Sequence, residues 1–136
     1  MNFRTKCPKC GAIVQTNVLN TLTCRDCKTS FTVPQPCGLL RLYRMGNFMG
    51  SAAAFGVYIN EQPIGYIGNR ESLAFPLPYG TYQLHLRAKG QPTRTETPTM
   101  ITLSPAQPVS CWKVSIETGM WKSRLNLTPA PESEMP

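Results

Sequence analysis

The chain has little of what most enzymes and most membrane proteins need. Its one histidine, His85, is the only imidazole in 136 residues. A nucleophile and base pair would therefore have to join His85 to a cysteine such as Cys111 by the accident of folding, and no catalytic residue is expected. The longest apolar stretch, residues 52–55, falls far short of the roughly 20 residues that a membrane-spanning helix requires. No segment shows helical spacing with caps. The first residues, Met1 to Cys7, place no apolar run behind a basic start, so no secretory signal is expected and the cytoplasm is the expected location. Charged residues make up only 15% of the chain, which excludes a disordered polyelectrolyte.

What is present points elsewhere. Hydrophobic residues at 41% are enough for a real core, and thirteen prolines with ten glycines favour strands and turns over long helices. Fourteen Lys plus Arg against seven Asp plus Glu give a formal charge of +7, which raises nucleic acid or an anionic surface as a partner. The six cysteines are not expected to form a disulfide framework in a reducing compartment, so their spacing is read for metal first.

Cys7-Pro8-Lys9-Cys10 and Cys24-Arg25-Asp26-Cys27 are two Cys-x-x-Cys pairs with thirteen residues between them. Two tight turns at that spacing present four thiolates tetrahedrally to one ion. Pro8 pre-sets the first turn, and Gly11 after it permits the positive φ that such knuckles need; the second knuckle has Lys28 in that place. Short β-prone runs lie between and after the pairs, and Phe3 and Phe31 are expected to cover the metal. A redox pair is the alternative for a lone Cys-x-x-Cys, but two pairs without a βαβ pattern argue against it. Over residues 1–34 the spacing and its flanking strands resemble a zinc ribbon. That resemblance implies one structural Zn2+ held by Cys7, Cys10, Cys24 and Cys27, with no open coordination position for water. A module this small lacks a core of its own and would unfold without the ion.

Pro34-Gln35-Pro36 then interrupts the sequence, and residues 35–38 read as a stiff linker. Beyond it the periodicity is two. In residues 81–88 Tyr82, Leu84, Leu86 and Ala88 share one face while Thr81, Gln83, His85 and Arg87 share the other, with His85 pointing outward. The same reading predicts strands over residues 39–44, 54–59, 63–67, 72–77, 100–103, 109–117 and 122–128. Turn signals fall between them at Asn60-Glu61, Gly68-Asn69, Pro78-Tyr79-Gly80 and Gly119. The predicted fold is mostly β, a small zinc ribbon followed over residues 39–128 by an antiparallel β-sandwich of seven or eight short strands. Trp112, Val114 and Ile116 face the core, with Trp121, Leu125 and Leu127 as partners. Cys37 and Cys111 read as free thiols. Residues 129–136 read as a frayed tail.

Residues 42–52, then Val57-Tyr58-Ile59-Asn60-Glu61-Gln62-Pro63-Ile64-Gly65 and Leu77-Pro78-Tyr79-Gly80-Thr81-Tyr82-Gln83-Leu84, resemble an uncharacterised bacterial β-domain family found often on lipoproteins, and are similar to PEGA-type domains. The resemblance implies a β-sandwich scaffold and no catalytic residues. The sequence departs from it in having Glu61 where the family usually has Gly, and no lipoprotein signal is expected.

The loop from Arg44 to Phe55 is longer and more apolar than a hairpin needs. Phe48 and Met49 in it are candidates for partner contact, against the plainer role of a lid on the sandwich. Two functions follow as expectations. The first is a non-enzymatic adaptor that binds a protein partner; the other is a nucleic-acid accessory protein using the ribbon's basic residues Arg4, Lys6, Lys9, Arg25 and Lys28. No small-molecule substrate is implied. The charge itself says little: residues 1–37 carry five basic and one acidic side chain, and residues 38–136 carry nine and six. An ion of +2 on four thiolates lowers the formal total from +7 to about +5.

Overall fold

Alternating apolar residues build two stacked sheets. The structure is a computed structural model and describes residues 1–33, 35–45, 54–88, 99–118 and 123–136. The candidate contact residues Phe48 and Met49, and Trp121, lie outside the described residues. The strands are β1 (Phe3–Lys6), β2 (Ile13–Thr16), β3 (Leu22–Thr23), β4 (Ser30–Phe31), β5 (Cys37–Arg44), β6 (Phe55–Ile59), β7 (Gln62–Ile67), β8 (Ser72–Pro78), β9 (Gly80–Ala88), β10 (Thr99–Leu103), β11 (Val109–Thr118) and β12 (Ser123–Pro129). A single 3-10 turn, Glu132–Glu134, follows β12.

The larger sheet has the order β12-β11-β5-β8-β1-β2 and the smaller one β10-β9-β6-β7, while β3 and β4 form a separate hairpin. Most pairings are antiparallel, as the short connections predict. Two are parallel: β11 on β5, and β1 on β8 through Phe3 and Ala74. The sheets pack through one cluster to which both contribute. Leu40, Leu42, Leu73, Phe75, Val114 and Leu125 come from the larger sheet, and Phe55, Val57, Ile59, Ile67, Leu84, Leu86 and Ile101 from the smaller. Period-two alternation on both sides of this layer is what makes the chain a sandwich. Each fully buried Leu or Phe contributes about 1.5–3 kcal/mol of transfer free energy.

Arg44 breaks the apolar pattern at an inward position. Its side chain is fully buried, its guanidinium carbon lies 3.7 Å from the centroid of the Phe55 ring, and Nη1 donates to the Ile67 carbonyl at 3.3 Å. Burial lowers its pKa from the ordinary arginine value. The cation is accommodated because an aromatic face and backbone carbonyl replace part of its water shell.

Three expectations change. First, the boundary at residue 34 does not divide the sheets. β1 and β2 of the cysteine module extend the larger sheet past β8, with the Ala74 N–H donating to the Asn2 carbonyl at 2.8 Å. β8 would otherwise be an apolar edge strand, and such edges seek a partner. Second, residues 129–136 are not a frayed tail. The Ala130 N–H donates to the Cys111 carbonyl at 3.1 Å, Met135 is buried, and Glu132 and Glu134 pair with Arg41 at 3.4 Å and Lys113 at 3.1 Å. Three prolines in residues 129–136 restrict the free chain, so less entropy is lost when it is laid down. Third, His85 lies on the face away from the core but is buried. Its ring stacks on Tyr58 of the neighbouring strand at 4.9 Å and 10°. Alternation assigned its face; only the cross-strand neighbour decided its exposure.

The β6–β7 hairpin turns through Asn60 and Glu61. Asn60 and Glu61 both have positive φ, 49° and 67°, the left-handed pair of a two-residue type I′ turn, where Gly is the usual second residue. Glu61 is retained there with its carboxylate 3.6 Å from His85 Nδ1 and 3.6 Å from an Arg87 guanidinium nitrogen.

Candidate metal centre

The two cysteine pairs sit in two turns of one design. β1 leads into the first and β2 leaves it; β3 leads into the second and β4 leaves it. In the first, the Gly11 N–H donates to the Cys7 carbonyl at 2.9 Å and the Cys7 N–H to the Ala12 carbonyl at 2.8 Å. The second repeats this, with Lys28 N–H to the Cys24 carbonyl at 3.0 Å and Cys24 N–H to the Thr29 carbonyl at 3.0 Å. Gly11 has φ +77° and Lys28 has φ +62°. Lysine therefore adopts the left-handed conformation for which its counterpart is glycine, at a strain of about 1–2 kcal/mol.

Gly11 offers a clean measurement of that strain. A Cβ built on it meets nothing within 4 Å, so Gly11→Ala should act through the backbone alone and destabilise the metal-bound module by about 1–2 kcal/mol. Chelator competition against the unmutated chain reads this difference. An unchanged metal affinity would show that the turn relaxes at no cost.

Folding of these turns brings the four sulfurs together, all within 4.8 Å of one another. Cys7 and Cys27 Sγ are 3.6 Å apart, and Cys10 and Cys24 Sγ are 3.5 Å apart. Four sulfurs at the usual 2.3 Å zinc–sulfur distance form a tetrahedron with edges of about 3.8 Å. The donor set therefore fits a tetrahedral ion, and no disulfide occupies the sulfurs. Cys7 and Cys24 are buried, Cys27 is half-buried and Cys10 exposed. Among the apolar residues of the module Leu22 and Val33 are the buried ones; Phe3 and Phe31, expected over the metal, are half-buried.

As thiols Cys27 and Cys10 differ sharply. The Thr29 hydroxyl, 3.2 Å from Cys27 Sγ, and the Thr29 backbone lower the Cys27 pKa to about 6. At Cys10 the Ala12 backbone favours the thiolate, but contact with the Cys24 sulfur, desolvation and the Cys27 and Cys7 sulfurs outweigh it and push the pKa to about 12. Sulfurs this close cannot all ionise beside one another; a divalent cation among them removes that conflict. With four thiolates bound, a tetrahedral ion has no position left for a reacting water.

The remaining described candidate residues differ in their surroundings. Arg4 is taken up structurally: its Nη1 donates to Asn2 Oδ1 at 2.7 Å and its Nη2 lies 3.6 Å from Glu71 Oε2, with 11% of the side chain exposed. Lys6 is half-buried on β1, while Lys9, Arg25 and Lys28 are exposed on the knuckles. A polar groove of about 470 Å³ runs between residues 12–17 and residues 23–26, beside the free edge of β2. Cys37 is half-buried and Cys111 buried. Burial pushes the Cys111 thiol up, Arg41 pulls it down, and Glu132 adds to the upward shift. Cys111 and His85 belong to different sheets, each on the face turned away from its neighbours in the core cluster. The core therefore lies between the only imidazole and this thiol.

Sequence reasoning missed the side chains on the outer face of the larger sheet, Arg41, Ser72 and Lys113, and their partners in residues 130–136. The signal present was an excess of acidic residues in a proline-rich end, read only as lack of packing. Comparison of the chain with protein families, with curated proteins and with solved structures finds no match. Fold and site together define a two-sheet β-sandwich whose larger sheet is extended by a four-cysteine knuckle module. No helix among the described residues is long and apolar enough to cross a membrane.

Proposed function

We propose that the chain is a non-enzymatic protein-interaction adaptor, with one structural Zn2+ held by Cys7, Cys10, Cys24 and Cys27 and a sandwich related to the PEGA-like domains of lipoprotein-associated bacterial families. The observation that carries this reading is the coupling of the cysteine cluster to the sheet. The turn that holds Cys7 and Cys10 joins β1 to β2, and those strands form the end of the larger sheet. A closed four-sulfur ion would thus do mechanical work, fixing the sheet's outermost strands. A scaffold with a pinned edge and exposed groove suits the binding of another chain better than turnover of a small substrate. Free thiolates of this kind suit a reducing compartment such as the cytoplasm.

Metal analysis of protein purified without chelator should find one zinc per chain, and well under one would refute the metal assignment. Affinity capture of the intact protein from its own cell extract, with and without nuclease, tests the adaptor reading. Capture of a defined protein that survives nuclease and moderate salt is expected. The competing nucleic-acid reading rests on Lys6, Lys9, Arg25 and Lys28, since Arg4 is already engaged with Glu71. It predicts instead a steep loss of binding with salt and on reversing those four charges.

A further inference from the structure

Alternation in the larger sheet turns Leu40, Leu42, Leu73, Phe75 and Val114 into the core and leaves Arg41, Ser72, Cys111 and Lys113 on the outer face. That face is not open. Arg41 and Cys111 are only 8% exposed each, and the chain that follows β12 crosses them. Arg41 Nη1 lies 3.4 Å from Glu132 Oε1, and its Nη2 donates to the Pro136 carbonyl oxygen at 3.4 Å. Ser72 Oγ donates to the same oxygen at 3.4 Å. Lys113 Nζ donates to Glu134 Oε2 at 3.1 Å, and Met135 is buried at 9% exposure. The face therefore offers two cations, a hydroxyl donor and an apolar seat, and is filled by a segment reading Glu-Ser-Glu-Met.

How that segment is held matters more than that it is held. Its carboxylate side chains remain 63% and 54% exposed, and ion pairs at that exposure are individually weak and screened by salt. Beside the segment a groove of about 300 Å³ remains, lined by Val109, Cys111, Trp112, Pro129 and Pro131 among others. The chain's own residues form one wall of this groove and do not fill it. A second copy of the same tail would bring no contact that the first lacks, whereas the tail in place has the advantage of being tethered. An incoming chain with the same carboxylate spacing and a further apolar side chain for the groove gains area that the tail leaves unused.

We propose that the outer face around Arg41 and Lys113 is a docking site for an acidic segment of a protein partner, of the pattern Glu-x-Glu followed by an aliphatic or thioether residue, which residues 132–135 occupy in cis until displaced. This deepens the adaptor reading and rests on it. It makes the tail a competitive occupant, so that affinity for the partner is set by the difference between two similar segments.

The test uses the full chain and a labelled synthetic peptide with the sequence of residues 130–136 as probe. Replacing the tail's carboxylates, Glu132→Lys with Glu134→Lys, opens the site without touching the sheet. The peptide should bind this variant at least about tenfold more tightly than the unmutated chain, because cis competition is removed. Adding Lys113→Glu or Arg41→Glu should reverse the gain, and Lys113→Glu is informative even if the more buried Arg41 change impairs folding. Alkylation of Cys111, read by peptide mapping, should accelerate in the opened chain and slow again with peptide present. Equal binding to opened and unmutated chains, binding indifferent to the sign of residue 113, or unchanged Cys111 alkylation would each overturn the proposal. Failure of the broader adaptor reading is distinguishable, because it shows as no partner captured from extract while the peptide measurement stands.

Discussion

Replacing Cys24 with serine, or stripping the proposed zinc with a strong chelator, is expected to unfold the cysteine module and leave the two-sheet core folded. Cys24 is 1% exposed and supplies one of the four sulfurs that lie within 4.8 Å of one another. Binding of a structural zinc contributes on the order of 10 kcal/mol in small modules of this type, far more than Leu22 and Val33 can supply by burial. The effect should spread one strand into the sandwich and stop. β1 is bound to β8 through the Ala74 N–H and the Asn2 carbonyl at 2.8 Å, so amide exchange at Ala74 should speed up with that of residues 1–33. Amides of Val57 and Leu86, in the smaller sheet, should keep their protection. Acid should act in the same direction, since each thiolate that takes a proton leaves the ion, and metal affinity falls as pH falls. Full metal content and unchanged exchange in Cys24→Ser would show that the cluster does not hold the ion that folds the module.

Phe55→Ala should be the most damaging single change in the sandwich. Phe55 is 1% exposed, joins the core cluster, and carries the buried Arg44 guanidinium 3.7 Å over its ring. Truncation opens a cavity next to a desolvated cation, and large-to-small changes of this kind cost about 3–5 kcal/mol. Against a total stability of about 5–15 kcal/mol, that should bring a large drop in the urea midpoint. Phe55→Leu keeps most of the volume and loses the aromatic face, so it should cost about 1–2 kcal/mol. The difference between the variants separates the cavity from the ring. A loss below about 1 kcal/mol for Phe55→Ala would mean that the core collapses to fill the space, contrary to the close packing expected of interiors.

These two predictions rest on different kinds of information. The four sulfurs were legible in the sequence because each knuckle is local. A hydrogen bond from residue 11 to residue 7 and another from residue 28 to residue 24 set the turn, and nothing distant is required. The strands after residue 37 were legible for a similar reason, since period-two alternation is written along each strand itself. Even Lys28 in place of glycine could be read, because both knuckles need the same backbone conformation.

Which strand lies beside which could not be read that way. The pairing of Phe3 with Ala74 joins two segments whose local patterns are satisfied with or without it, and it follows from the need of the β8 edge for a neighbour. The same holds for His85, whose alternation marks its face but not the Tyr58 ring that covers it. Arg44 falls on an inward face of β5, and only Phe55 and the Ile67 carbonyl explain why a cation is accepted there. Residues 130–136 were the least legible. Proline and glutamate signal disorder where no surface opposes them, and Arg41 and Lys113 come to oppose them only after β5 and β11 have paired. The sequence alone determined the four-cysteine cluster and the positions of the strands after residue 37, because those depend on neighbours along the chain. Tertiary structure decided the module's attachment, the burial of the lone histidine and the closing of the tail over the sheet, because these depend on contacts between segments that carry no record of one another.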